Sequence, residues 1–264
     1  MRRIIRMSDS MAFLTPDKTY TANGLTVKQY FITAHNPNKI SLPAVRTKPL
    51  IGITVHNTDD INEARQTTDP EQYVRSTVNG NMGTVRVHFY VDDDECWQML
   101  PLTQQSWHAG QGGKADRNGS EAGNAQTISI ECIMDGSGSE KDKRAEDNCA
   151  RLVAYLMSMY SMNLNNLYTH NYWCNIRNGI TGNVSVDVLN KMNDGYKNCP
   201  KFIRPHWDKF KAKVKSYMTP PVDDSKYLYR VVCGSFANKA NAEKLLNEVK
   251  SAYPDAFIST VVKK

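Results

Sequence analysis

Two imidazoles and one thiol stand out among the reactive side chains of this 264-residue chain: His56, His170 and Cys199. Two histidines and a thiolate can hold Zn2+ tetrahedrally and leave the fourth corner to water, the open arrangement of catalytic zinc. Their separations match no short metal-binding signature, so the residues alone leave this reading beside a structural one. His56 has the stronger local case. It ends the run Leu50-Ile51-Gly52-Ile53-Thr54-Val55-His56, in which Ile51, Ile53 and Val55 share one face of a strand and Gly52, Thr54 and His56 the other. The ring leaves the apolar side among small neighbours that give it room. Glu131 is set in the same way in Thr127-Ile128-Ser129-Ile130-Glu131-Cys132, opposite Ile128, Ile130 and Cys132. His35 in an irregular arm, His88 in Val87-His88-Phe89-Tyr90 and His206 between Pro205 and Trp207 read as structural or solvated.

The elements that must position these groups follow from periodicity and punctuation. The first 45 residues carry little pattern and read as an arm or loops, with one short helix near Val27–Phe31. Asp69-Pro70-Glu71 predicts a helix start, with proline at the first helical position and an acid after it. Strands are predicted at Val85–Val91 and around Trp97–Leu100, followed by the glycine-rich loop Trp107-His108-Ala109-Gly110-Gln111-Gly112-Gly113. A long helix over Lys141–Met159 carries Leu152, Tyr155, Leu156 and Met159 at helical spacing. A second, over Arg204–Met218, carries Trp207, Phe210 and Val214. Strands interleaved with helices predict an α/β fold with a central mixed sheet flanked by helices. Thr219-Pro220-Pro221-Val222-Asp223-Asp224-Ser225 reads as a linker. Beyond it, a small β-α-β module is expected, with strands at Tyr227–Cys233 and Ala256–Val262 and a helix at Ala240–Ser251, capped by Asn238.

Composition narrows the class. Forty per cent hydrophobic residues with 13 Tyr and 4 Trp suffice for a packed core and exclude wholesale disorder. No apolar run approaches the roughly 18 residues of a membrane span, so no membrane insertion is expected. A net charge of +6 suits an anionic polymer without choosing among them. No aromatic-basic motif supports nucleic-acid binding. The start Met1-Arg2-Arg3-Ile4-Ile5-Arg6 lacks an apolar segment after its basic residues, so no secretory signal is read there. The six cysteines are expected to be reduced thiols.

Five stretches then appear in order: Ile53-Thr54-Val55-His56-Asn57-Thr58, Trp107-His108-Ala109-Gly110, Ile128-Ser129-Ile130-Glu131-Cys132, Thr169-His170 and Lys197-Asn198-Cys199-Pro200. Together they resemble the type 2, zinc-dependent N-acetylmuramoyl-L-alanine amidases of phage endolysins and bacterial autolysins, over roughly residues 28–217. The resemblance implies a Zn2+ cofactor with His56, His170 and Cys199 as ligands. It implies Glu131 as the catalytic general base and acid, Lys197 as the group stabilising the oxyanion, and the amide between N-acetylmuramic acid and L-alanine as the bond cleaved. His108 and Trp107 are expected to line the substrate groove. Two departures stand out. His170 and Cys199 lie 29 positions apart where family members have about eight, so the surplus at Cys174–Asp194 reads as a surface insertion. Some relatives carry a catalytic tyrosine where this chain has Val87, which leaves that role to Glu131.

The C-terminal residues Tyr229-Arg230-Val231-Val232-Cys233-Gly234-Ser235-Phe236, with Asn238, Ala242, Leu245 and Leu246, resemble one half of a SPOR repeat, a module that binds peptidoglycan glycan strands. The expected division is an N-terminal arm (1–27), a catalytic domain (28–217), a linker (218–226) and a cell-wall-binding half-repeat (227–264). A half-repeat implies a homodimer that rebuilds the whole. The expected partner is bacterial cell-wall peptidoglycan, reached from the cytoplasm through a holin or on cell lysis. A non-catalytic peptidoglycan-recognition protein of the same fold and a mother-cell-lysis autolysin are the alternatives. The Cys199–Lys197 pair favours an enzyme, because non-catalytic relatives typically lack the cysteine.

Overall fold

The computed structural model describes residues 14–58, 69–110, 122–180, 184–192, 197–218, 235–250 and Ile258. The chain divides into two compact units, residues 1–219 and 220–264.

The first unit is built on a seven-stranded mixed sheet in the order β1-β2-β5-β4-β6-β3-β7. The strands are β1 (Lys18–Ala22), β2 (Leu25–Gln29), β3 (Gly52–Asn57), β4 (Phe89–Val91), β5 (Cys96–Gln98), β6 (Thr127–Cys132) and β7 (Leu167–Thr169). The neighbours β4, β6, β3 and β7 run parallel, so their carboxyl ends lie at one edge of the sheet. That edge is where open α/β sheets bind ligands.

The predicted helix near Val27–Phe31 is not formed; those residues fall largely in β2. The reason is local. Asn23 and Gly24 have φ of 48° and 84°, the paired positive values of a type I′ turn, which forces the flanking segments into a hairpin. Leu25 and Val27 then bury one face of β2 while Thr26 stays exposed. The next two predicted strands shorten to three residues each. Thr103, Gln104 and Trp107 instead make loop contacts with Arg46, Val45 and Arg86.

The helices α1 (Pro70–Val78) and α2 (Ala122–Gln126) precede α3 (Glu140–Met159), α4 (His170–Arg177), α5 (Val186–Lys191) and α6 (Trp207–Tyr217). The helix α1 starts as predicted: the Asp69 side chain caps it by accepting from the Glu71 N–H at 2.8 Å. On one face of the sheet, α3 and α6 bury Cys149, Leu152, Val153, Leu156, Phe210 and Val214 against Ile53, Val55, Phe89, Ile128 and Ile130. Each such aliphatic or aromatic side chain contributes about 1.5–3 kcal/mol, and this cluster is the principal core. On the other face, Tyr73, Val74 and Val78 of α1 pack with Tyr90, Trp97 and Met99. Both faces of β3 are buried, including Thr54 and His56. Among the described residues the free cysteines Cys96, Cys132, Cys149, Cys174 and Cys199 are all buried, as reduced thiols should be.

The segment read as a surface insertion does more than decorate the surface. It forms the second half of α4 and all of α5, and the buried Asn190 near its end bonds to β7. Its side chain accepts from the Thr169 N–H at 2.7 Å and donates to the Leu167 carbonyl at 2.9 Å.

In the second unit the described helix is α7 (Lys239–Lys250). Asn238 accepts from the Ala240 N–H at 2.8 Å, in keeping with its predicted capping place. Ala242, Leu245, Leu246 and Val249 form its half-buried stripe. Apart from Ile258, which is exposed, the two strands predicted around it lie outside the described residues.

Gly52 holds β3 close to its neighbour. A Cβ there would sit 2.2 Å from the Asn166 carbonyl oxygen and 2.4 Å from the Tyr168 ring. Gly52→Ala should therefore cost about 3 kcal/mol, the upper end for overpacking, read as a lower midpoint in chemical denaturation. An unchanged midpoint would show that β7 can move aside freely.

Candidate metal centre

Three parallel strands deliver the site. β3 ends in His56-Asn57, β6 pairs with it so that Glu131 is the register partner of His56, and β7 leads directly into His170, the first residue of α4. Thr169 caps α4 by accepting from the Tyr172 N–H at 2.9 Å, which fixes His170 in the first helical turn. Cys199 arrives from far along the chain and is held by two asparagines. The Asn171 N–H donates to the Cys199 carbonyl at 3.0 Å. The Asn57 side-chain oxygen accepts from the Phe202 and Ile203 N–H groups at 3.0 and 3.3 Å, while its amide nitrogen donates to the Cys132 carbonyl at 3.1 Å. Asn57 thus ties the end of β3 to both β6 and the Cys199 segment.

His56, His170 and Cys199 are 1–3% exposed, and one donor atom from each lies within 4.8 Å of the others. Cys199 Sγ stands 3.5 Å from His56 Nδ1, already the spacing of about 3.4–3.8 Å between two ligands on a tetrahedral zinc. The second nitrogen of each ring is occupied elsewhere. His170 Nε2 bonds to the Gly110 carbonyl at 2.9 Å, and His56 Nε2 faces His108 Nδ1 at 2.8 Å. His170 Nδ1 is buried with no hydrogen-bond partner. An orphaned ring nitrogen beside a second imidazole and a thiol, with the outer nitrogens tied back, fits a metal ligand set.

Electrostatics in the site follow from burial. Desolvation holds His56 and His170 well below the ordinary histidine range, helped at His56 by the neighbouring His170 and His108 and at His170 by the Lys197 charge. Both rings are therefore neutral, the form a metal requires. Burial, reinforced by Glu131, pushes the Cys199 thiol up to about 12, against the opposing Lys197 charge and the Asn57 N–H. Glu131 lies with Oε1 4.0 Å from His56 Nδ1 and Oε2 buried without a partner. Burial raises it to about 7, with Lys197 pulling the other way. Lys197 itself is exposed.

His108 and Trp107 occupy different environments. Trp107 is half-buried, and its backbone bridges to Arg86. His108 is 7% exposed with both ring nitrogens engaged, its Nε2 2.9 Å from the Gly123 carbonyl. Of the histidines set aside, His88 is fully buried between Ser129 and the Gln104 carbonyl. His206 pairs with Glu146 at 2.6 Å and His35 with Asp17 at 2.7 Å. Sequence reasoning missed the anchoring amides Asn57 and Asn124. The Asn124 side chain accepts from both the His108 and Ala109 N–H groups, a contact between residues distant in sequence that no local pattern signals.

The folded chain holds the Glu131 proton up to about pH 7, whereas an ordinary glutamate releases it near 4.5. This favours the folded state fully below the lower value and is lost as pH rises through the higher one. In the metal-free protein, Glu131→Gln should leave stability near pH 4.5 little changed and raise it at pH 8 by up to about 3 kcal/mol. Thermal melting at the two pH values checks this, and equal melting temperatures at pH 8 would contradict it.

Comparison with known proteins agrees with this geometry. The Amidase_2 family model, described as N-acetylmuramoyl-L-alanine amidase, matches residues 46–201, and a SPOR-domain model matches residues 207–264. The N-acetylmuramoyl-L-alanine amidase CwlH of Bacillus subtilis (strain 168) is 30% identical over 201 residues, covering 76% of this chain and 66% of CwlH. The amidase XlyA of the same organism is 31% identical over 172 residues, covering 65% of this chain and 46% of XlyA. The chain thus spans just under two thirds of the one relative's length and under half of the other's. The solved catalytic domain of XlyA gives a TM-score of 0.51 at 28% identity, covering 71% of this chain and 98% of that domain. PlyL gives 0.51 at 27%, covering 73% and 98%. With more than half of its length matched by the family model, and with a sheet that gathers two imidazoles, a thiol and a carboxylate at one edge, the chain belongs to the N-acetylmuramoyl-L-alanine amidase family.

Proposed function

We propose that the chain is a zinc-dependent peptidoglycan amidase of the endolysin type, hydrolysing the amide between N-acetylmuramic acid and the L-alanine of the stem peptide. The convergence of His56, His170 and Cys199 beside Glu131 carries this reading. His56 and His170 would present their inner ring nitrogens to the metal, and Cys199 its sulfur once metal binding has displaced the thiol proton. Bound there, zinc supplies a Lewis acid that polarises a carbonyl and acidifies water.

The remaining steps belong to the chain's own groups. Glu131, raised to about 7, can take a proton from the attacking water and return it to the departing amine near neutral pH. Its partnerless Oε2 leaves one oxygen free for that exchange. Lys197 is exposed, yet its charge acts on His56, His170 and Glu131, so it can hold negative charge developing on the substrate oxygen. The SPOR match supports peptidoglycan binding by the C-terminal unit. The likeness of this unit to one half of a SPOR repeat is the ground for proposing that two such units pair in a homodimer. Light scattering should then give twice the chain mass at micromolar concentration, and a strict monomer would reject the pairing.

Mass spectrometry of digested peptidoglycan tests the activity. Free stem peptides beginning with L-alanine are expected; new reducing sugar ends without such peptides would overturn it. Glu131→Gln should lose about 10²–10⁴-fold in turnover while keeping its zinc through dialysis. Cys199→Ser should lose zinc under the same dialysis.

A further inference from the structure

The hydrogen bonds behind His56 form a chain whose proton positions are fixed at both ends. At one end the Trp173 indole, which can only donate, bonds to Thr54 Oγ1 at 2.9 Å. Thr54 and Thr127 hydroxyls lie 2.9 Å apart, and Thr127 Oγ1 donates to the Gly123 carbonyl at 2.6 Å. With the Thr127 proton committed to that carbonyl, the Thr54 hydroxyl donates to Thr127. The Gly123 carbonyl, which can only accept, also lies 2.9 Å from His108 Nε2. His108 Nε2 therefore carries hydrogen, and its Nδ1 is left with a lone pair. Facing that lone pair at 2.8 Å is His56 Nε2, which must donate. The His56 proton is thus assigned to Nε2, and Nδ1 turns its lone pair toward Cys199 Sγ and Glu131.

We propose that His108 is a positioning residue, which fixes the tautomer and ring orientation of His56 so that Nδ1 is presented to the metal. The His108 backbone is itself anchored, because the Asn124 side chain accepts from the His108 and Ala109 N–H groups at 2.9 and 2.8 Å. The two imidazoles meet edge to face, with ring centres 4.9 Å apart and planes at 88°, so that the His56 N–H points at the nitrogen of His108. Burial closes off the alternative, because neither ring can turn to water for a replacement partner. With both nitrogens committed, His108 has none left for substrate. His170 reaches the same tautomer by a simpler device, the Gly110 carbonyl. The inference rests on the metal-site reading above, and one arm of its test needs no metal.

Long-range proton–nitrogen NMR of the full chain, with and without zinc, reports which nitrogen of each ring bears hydrogen. His56 and His108 should both be protonated at Nε2 in the metal-free protein, and His56 Nδ1 should shift on adding zinc. A His56 protonated at Nδ1 would overturn the proposal even if zinc binds, whereas a chain that takes up no zinc would overturn the metal reading alone. Chelator competition supplies the second arm. His108→Ala should weaken zinc binding by about 10–100-fold, the usual cost of losing a group that orients a ligand. His108→Asn, which returns an acceptor close to the place of Nδ1, should recover most of it. Zinc affinity unchanged in the alanine variant, or no better with asparagine than with alanine, would also overturn it. The tautomer measurement on the unsubstituted chain stands if the alanine variant does not fold.

Discussion

The parallel pairing of β3 with β6 is the constraint on which the site depends. In that register His56 faces Glu131 across the strands, so a ring and a carboxylate are held side by side by the backbone ladder rather than by their own flexible arms. β7 pairs on the other side of β3 and ends one residue before His170. A slip of one residue in either pairing would turn a functional side chain to the opposite face. The apolar alternation of Ile53, Val55, Ile128 and Ile130 against α3 fixes that register. The core therefore secures the placement of His56 and Glu131 as well as the stability.

The same burial makes the resting site costly. A carboxyl raised to about 7 and a thiol raised to about 12 are groups forced away from their preferred state. The neutral rings and the partnerless His170 Nδ1 add unmet polar demand. One divalent charge would relieve all of these together, by drawing off the thiol proton and giving the lone pairs a partner. Lys197 offsets a smaller share from the solvent side.

Much of this was legible in the sequence where the signal was local. The alternation of β3 and β6, the Asp69 cap of α1 and the long stripe of α3 are contained in short windows, and each formed close to its expected bounds. The hairpin of β1 and β2 was signalled by Asn23-Gly24 but hidden in a polar stretch. The three residues of β7 are too short for any period to register, and they exist as a strand because β3 pairs with them. His56, His170, Cys199 and Glu131 could be picked out through ordered motifs. Their convergence depends on Asn57, whose amide reaches Phe202 across 145 positions, and sequence spacing carries no trace of that. His108 was visible only as part of a loop motif, since its partner His56 lies in a separate element.

Asn190 has a consequence for the sheet as a whole. By donating to Leu167 and accepting from Thr169, its side-chain amide mimics a residue of a parallel strand paired opposite Tyr168. The terminal ladder is thereby filled with a single side chain where an eighth strand would otherwise fit. Exposed ladders recruit strands from other molecules and seed aggregates. The Asn190 side chain thus takes the hydrogen-bonding positions that a strand from another molecule would need in order to extend this edge.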